Sequence, residues 1–210
     1  MIRILIADDH TIVREGLKQI LADTPDVEVK AEAGNAQEVM KKIKGKSLDL
    51  VLLDISLPGR SGLDVLKQLK CVRPDLPVLV LSMHPEEQYA IRSIRAGASG
   101  YLTKESAPDE LLQAIRKVAR GGKYITSSLA EKIAAELDGQ RRGQPHEALS
   151  DREYQVLCLM ASGKTVKEVA EVLSLSVKTI STHRARILEK MKMKNNAQLT
   201  HYAIRHNLVD

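Results

Sequence analysis

Asp49-Leu50-Val51-Leu52-Leu53-Asp54, followed by Ile55-Ser56-Leu57-Pro58-Gly59-Arg60-Ser61-Gly62, decides the fold. A short apolar run closed by a carboxylate and then by turn residues reads as a buried strand whose carboxyl end carries a polar group into a loop. Similar runs occur on both sides of it. Ile2–Ala7, Val27–Ala33, Pro77–Ser82 and Ser99–Thr103 read as further strands. Between and after them lie amphipathic stretches of helical length, near Thr11–Ala22, Ala36–Lys44, Gly62–Lys70, Glu86–Ala96 and Pro108–Arg120. Pro108 suits a first helical turn. Strand and helix alternating in this way predict an α/β fold, a five-stranded parallel doubly wound sheet in the order 2-1-3-4-5.

The pattern stops after Gly121-Gly122. Residues 121–147 read as a linker with one helix over 128–137, and Gly139–Pro145 has no apolar period. From Ala148 onward there are no strand signals, only starts for a small all-α bundle of four helices. Ser150 with Glu153 and Thr165 with Glu168 fit capping boxes, and Asn195 with Gln198 follows the same spacing. The domains predicted are therefore 1–120 and 148–210.

Composition narrows the function. No apolar run approaches the roughly 18–20 residues that span a bilayer, and the N-terminus lacks a signal-peptide pattern, so a cytoplasmic protein with no membrane partner is expected. Cys71 and Cys158 lie in apolar helical patterns and are expected to be buried, reduced thiols. Of the net charge of +5, residues 148–210 carry ten Lys/Arg against six Asp/Glu. A polyanion partner for the C-terminal part is thus favoured.

Open parallel sheets bind ligands beyond the carboxyl ends of their strands, where strand order reverses. There the first strand delivers Asp8 and Asp9, the third Asp54, the fourth Ser82 and the fifth Lys104. Three carboxylates crowded together repel unless they share a cation, and hard oxygen donors suit Mg²⁺. With the metal and Lys104 cancelling the charge of phosphoryl oxygens, a central carboxylate can attack phosphorus, and Asp54 is central.

These residues also carry a resemblance. Ile6-Ala7-Asp8-Asp9-His10, Leu52-Leu53-Asp54-Ile55-Ser56-Leu57-Pro58-Gly59, Leu81-Ser82 and Gly100-Tyr101-Leu102-Thr103-Lys104 resemble the receiver domain of bacterial two-component response regulators. The resemblance implies that Asp54 is the phosphoacceptor and that a cognate histidine kinase is the donor. It further implies that Asp9, Asp54 and the Ser56 carbonyl bind Mg²⁺, with Asp8 acting through water. Ser82 and Lys104 would hold the phosphoryl group, and Tyr101 would turn inward during the switch. His10 and His84 flank the pocket and are assigned no role.

Leu149-Ser150-Asp151-Arg152-Glu153, Gly163-Lys164-Thr165 and Ser176-Val177-Lys178-Thr179-Ile180-Ser181-Thr182-His183 resemble the LuxR-type helix-turn-helix domain. Together the halves are similar to the NarL/FixJ class. Within 176–191, Val177, Ile180, Ile187, Leu188 and Met191 recur on one side of a helix and should pack inward. Lys178, Thr182, Ala185, Arg186 and Glu189 then face outward with Ser181 on the flank, a surface able to approach base edges of double-stranded DNA. Lys178, Arg186, Lys190, Lys192 and Lys194 are the expected phosphate contacts. Lys192 stands where many relatives have a helix-ending glycine, and Ala185 where a polar reader is common.

The implied function is transcription regulation in which the output domain is restrained, or fails to dimerise, until Asp54 is phosphorylated, and a homodimer then grips two half-sites. Other classes fit less well. A phosphatase working through an aspartyl phosphate needs a second acid soon after the nucleophile, where this chain has Ile55 and Ser56; a dinucleotide-binding oxidoreductase needs Gly-x-Gly-x-x-Gly after the first strand, which is missing. A receiver serving only as a dimerisation module would have no use for the Asp8, Asp9, Asp54 and Lys104 set. No enzymatic turnover is expected.

Overall fold

The computed structural model describes residues 1–45, 47–58, 60–84, 86–137 and 144–209. Its chain contacts divide it into two compact units, Met1–Ala130 and Glu131–Asp210.

The first unit is a five-stranded sheet in the order β2-β1-β3-β4-β5, with every neighbouring pair parallel. Its elements follow in the sequence β1 (Ile2–Ala7), α1 (Thr11–Ala22), β2 (Val27–Ala33), α2 (Ala36–Gly45), β3 (Leu50–Leu53), α3 (Gly62–Val72), β4 (Val78–Ser82), α4 (Glu86–Arg95), β5 (Gly100–Thr103) and α5 (Pro108–Ala119). The central strand β3 is buried at all four positions, as a parallel strand with helices on both faces must be. β2, at the edge, is only partly covered and leaves Lys30 exposed. On one face Ile4, Ile6, Leu50, Leu52, Leu79, Leu81 and Leu102 pack with Leu17 and Leu21 of α1 and with Leu111, Ile115 and Val118 of α5. Burying such a side chain contributes about 1.5–3 kcal/mol, whereas an exposed ion pair contributes under about 1 kcal/mol. Apolar burial therefore holds the sheet together.

The boundary expected at residue 120 moves. The Tyr124 N–H donates to the Ser99 carbonyl at 2.8 Å, and Tyr124 forms an isolated parallel bridge with Gly100. The Tyr124 hydroxyl donates to Glu110 on α5 at 3.0 Å, and the Thr126 hydroxyl donates to Glu86 at the start of α4. These bonds hold the segment after Gly122 on the first unit. α6 (Ser127–Leu137) begins there, and the division between units falls within it. Gly139–Pro145, expected as a flexible linker, lies up to Gly143 outside the described residues. Pro145–Ala148 forms a short 3-10 turn that sequence periodicity did not anticipate.

The second unit contains α7 (Asp151–Ala161), α8 (Val166–Val172), α9 (Val177–Lys190) and α10 (Asn196–Arg205). Tyr154, Leu157, Val169, Ile180, Ile187, Leu199 and Ala203 are buried. Both expected capping boxes form, at Ser150 with Glu153 and at Thr165 with Glu168. The third is only half a box. Asn195 accepts the Gln198 N–H at 3.0 Å, but the Gln198 side chain accepts from Lys194 N–H at 2.7 Å, one residue further back. α7 stops at a left-handed glycine, Gly163 (φ 87°), whereas α8, α9 and α10 are followed by left-handed Ser174 (φ 51°), Lys192 (φ 54°) and Asn207 (φ 52°). Cys158 is buried as expected; Cys71, on α3, is exposed, because its place in the helix falls on the solvent side.

Candidate functional site

β1 and β3 are hydrogen-bonded neighbours, so their carboxyl ends set Asp8 and Asp54 side by side. Asp54 N–H donates to the Ala7 carbonyl at 2.8 Å, and Asp8 N–H to the Ala33 carbonyl at 3.0 Å. Both carboxylates are almost wholly buried, Asp54 with 2% of its surface exposed. Lys104, at the end of β5, spans them. Its ammonium lies 2.6 Å from Asp8 Oδ2 and 2.8 Å from Asp54 Oδ2. The other Asp54 oxygen accepts the Ser56 N–H at 2.9 Å. Burial drives the Asp54 carboxyl upward, assisted by Asp8, against the opposing pull of Lys104 and the Ser56 N–H. Burial also acts to lower Lys104, but Asp54 and Asp8 more than offset it, and the lysine is held charged. One cation shared by two buried carboxylates explains how the pair persists in a low-dielectric site.

Asp9 is more exposed and stands at the mouth. Ligand atoms of Asp8, Asp9, Asp54 and His10 all lie within 4.8 Å of one another, the only such group among the described residues. His10 was not anticipated as part of it. Its Nδ1 lies 2.9 Å from Asp9 Oδ1 and 3.3 Å from Asp8 Oδ1, and its N–H donates to Asp8 Oδ1 at 2.8 Å. The signal was its place directly after the acidic pair.

The loop after Asp54 is closed by Gly62. Its N–H donates to the Ile55 carbonyl at 3.0 Å, and a Cβ here would lie 2.3 Å from the Asp54 carbonyl oxygen and 2.4 Å from Ile55 Cα. Only glycine permits that approach.

Ser82 ends β4, fully buried, and its Oγ accepts the His84 N–H at 3.0 Å. The Tyr101 hydroxyl donates to the His84 carbonyl at 2.7 Å. Tyr101 was expected to turn inward; it is already inside, 1% exposed. Ser82 and Tyr101 therefore meet on the backbone of one residue. Burial, with the Lys104 charge, keeps the His84 imidazole below its ordinary value.

In the second unit, α9 presents Lys178, Ser181, Thr182, Ala185, Arg186 and Glu189 to solvent, and Lys192 and Lys194 follow, also exposed. Ser176 caps the helix by accepting the Thr179 N–H at 3.0 Å. Ser181 and Thr182 hydroxyls donate back to the Val177 and Lys178 carbonyls at 2.9 and 3.0 Å, which leaves their lone pairs free to accept. Ile180, Ile187 and Met191 are buried as the periodicity required, and Leu188 is half-buried. Val177 is not: it is 51% exposed, because the first helical residue lies at the flank of the packed side. Two cations serve the scaffold instead. Arg184 Nε donates to Asn196 Oδ1 at 2.7 Å, and Lys190, expected at a phosphate, donates to buried Glu153 at 2.6 Å.

Comparison with known proteins agrees with this geometry. The response regulator receiver domain matches residues 4–116, and the luxR family of bacterial regulatory proteins matches residues 147–203. The response regulator UvrY of Escherichia coli K12 is 36% identical over 99% of this chain and 96% of its own. The response regulator GacA of Pseudomonas aeruginosa is 35% identical over 100% and 99%. RcsB from Salmonella enterica serovar Typhimurium, solved bound to the rprA promoter in the presence of the phosphomimetic BeF3⁻, superposes with a TM-score of 0.65 at 28% identity, over 96% of this chain and 98% of that one. The chain is a response regulator of a two-component system, of the NarL/FixJ class, with an N-terminal receiver domain and a C-terminal LuxR-type DNA-binding domain.

Proposed function

We propose that Asp54 is the phosphoacceptor and that its phosphorylation by a cognate histidine kinase controls dimerisation and DNA binding. The observation that carries this reading is the buried Asp54 carboxylate, neutralised by Lys104 beside Asp8 and open toward Asp9. In the transfer an Asp54 carboxylate oxygen forms a bond to phosphorus as the phosphohistidine P–N bond breaks, and the departing imidazole nitrogen takes up a proton. Asp9, Asp54 and the Ser56 carbonyl would hold Mg²⁺, with Asp8 acting through water; the oxygen-rich donors gathered within 4.8 Å suit a hard cation. When bound, Mg²⁺ supplies charge neutralisation to the phosphoryl oxygens. Lys104 pairs with the same oxygens, and Ser82 turns its hydroxyl toward them.

Phosphorylation replaces the single negative charge of the Asp54 carboxylate with an acyl phosphate carrying about −1.5 to −2 charges on oxygens that reach further into the pocket. Recruiting Ser82 alters its bond with His84, whose carbonyl also holds Tyr101, so the start of α4 and the face beside β5 shift together. That face biases dimer formation. A dimer then places two α9 helices in successive major grooves, with Ser181, Thr182 and Ala185 at base edges and Lys178, Arg186, Lys192 and Lys194 at phosphates. The acyl phosphate is kept as a signal rather than released as product, so the protein is not an enzyme. No helix among the described residues is long and apolar enough to cross a membrane; the proposed site of action is the cytoplasm.

Incubation of the wild type and Asp54→Asn with a small-molecule phosphodonor and Mg²⁺ tests the reading. The expected result is a mass gain of one phosphoryl group, a shift to dimer and tighter DNA binding in the wild type alone. Confirmed phosphorylation of Asp54 with unchanged mass distribution and DNA affinity would overturn it.

A further inference from the structure

We propose that Val177 is a specificity-determining residue of the DNA interface, its isopropyl group packing on the 5-methyl group of a thymine in the major groove. The proposal deepens the placement of α9 in DNA and rests on it. Val177 is the first residue of α9 and 51% exposed, among polar neighbours: Ser176, Lys178, Ser181 and Thr182 are all exposed too. A large apolar side chain held in water at a functional surface gains by being covered. The N-terminal residues of a recognition helix are the ones that reach base edges. In the major groove the thymine methyl is the apolar group that distinguishes a base.

Ser181, one turn on, strengthens the assignment. Its hydroxyl proton is committed to the Val177 carbonyl at 2.9 Å, so it faces outward as an acceptor. An acceptor beside an apolar group matches the adenine amino group and the thymine methyl of one A·T pair. The neighbouring Lys178, a point charge on a flexible stem, belongs to the phosphates rather than to this pair.

The experiment selects the preferred sequence from a randomised duplex pool with the phosphorylated full-length protein, then replaces each thymine in turn by deoxyuridine, which lacks only the methyl group. The expected result is about a fourfold loss of affinity at one thymine per half-site, the worth of one buried carbon group. Val177→Ala should bind the thymine and uridine duplexes equally, and Val177→Ile should keep the preference. Uridine tolerated at every position by the wild type, or the same sensitivity in Val177→Ala, overturns the proposal. Arg186→Ala separates the two levels. If it lowers the salt dependence of binding while uridine is tolerated, α9 is in the groove and Val177 is not the reader; if Arg186→Ala and Ser181→Ala both bind like the wild type, the placement of α9 falls and the proposal with it.

Discussion

Lys190 Nζ lies 2.6 Å from Glu153 Oε2, the same oxygen that accepts the Ser150 N–H at 2.8 Å, so one buried carboxylate both caps α7 and fastens the end of α9. The Glu153 side chain is only 4% exposed. Burial acts to raise its carboxyl, but Lys190 and the Ser150 donors outweigh it and hold Glu153 below the ordinary carboxylate range.

This pairing separates the basic residues of α9 into two classes. Lys178→Ala and Arg186→Ala should each reduce the slope of log affinity against log salt by about 1, as the loss of one phosphate contact does. Lys190→Ala should leave that slope unchanged and lower stability instead, because the buried Glu153 loses its cation and keeps only its Ser150 donor; about 1–3 kcal/mol is expected from denaturant unfolding. A slope change in Lys190→Ala equal to that of Arg186→Ala would show that the lysine leaves Glu153 for DNA.

Gly62→Ala probes the pocket from behind. The added Cβ would sit 2.3 Å from the Asp54 carbonyl oxygen, and the obstacle is backbone, which cannot swing aside as a flexible side chain could. The substitution should cost more than about 2 kcal/mol of receiver stability and slow phosphorylation of Asp54 at least tenfold by displacing the loop that carries Ser56. Unaltered stability and labelling would mean that the 55–62 loop relaxes freely.

Much of this arrangement was legible in the chain. The apolar run before Asp54 and its counterparts fixed strand identity because a parallel sheet covered on both faces leaves no polar alternation to interpret. The caps at Ser150 and Thr165 were legible because each is a local, four-residue relation. What escaped depends on neighbours remote in sequence. Tyr124 joins the edge of β5 through the Ser99 carbonyl and α5 through Glu110, in a stretch without strand periodicity. Val177 obeys the apolar period yet lies at the rim, since periodicity assigns a side of a helix and not the extent of what covers it. Lys190 looked like its basic neighbours, and only the fold reveals the carboxylate 37 residues away. Tyr101 stood out in the motif, but its hydrogen bond to the His84 carbonyl joins residues 17 positions apart.

Lys192 occupies the left-handed position after the Met191 cap, with φ of 54°. A residue with a Cβ there costs about 1–2 kcal/mol, while glycine loses about 0.5–1 kcal/mol through the freedom it has when unfolded. Lys192→Gly should therefore stabilise the DNA-binding domain by about 0.5–1 kcal/mol in urea unfolding. The same variant removes an expected phosphate contact, so DNA affinity should fall and its salt slope flatten while stability rises. A variant no more stable than the wild type would show that the lysine side chain makes compensating contacts.

Asp49 supplies a pH-dependent test of the sheet edge. It accepts three hydrogen bonds from Arg3, from the backbone N–H at 2.9 Å and from Nε and Nη2 at 2.8 Å each, which tie the start of β1 to the residue before β3. These bonds, chiefly the guanidinium ones, bring its carboxyl down to about 2 despite some burial. A carboxyl depressed in the folded state contributes stability that is fully present above its unfolded value, near pH 4, and is lost as pH falls through about 2. About a third of each side chain is exposed, so solvent screening reduces the contribution to about 1 kcal/mol. Asp49→Asn should accordingly be less stable than the wild type by about 1 kcal/mol at pH 7, and the difference should shrink steadily between about pH 4 and pH 2. Urea unfolding of both proteins across that range checks it. A difference that stays constant with pH would assign the effect to packing around the side chain rather than to its charge.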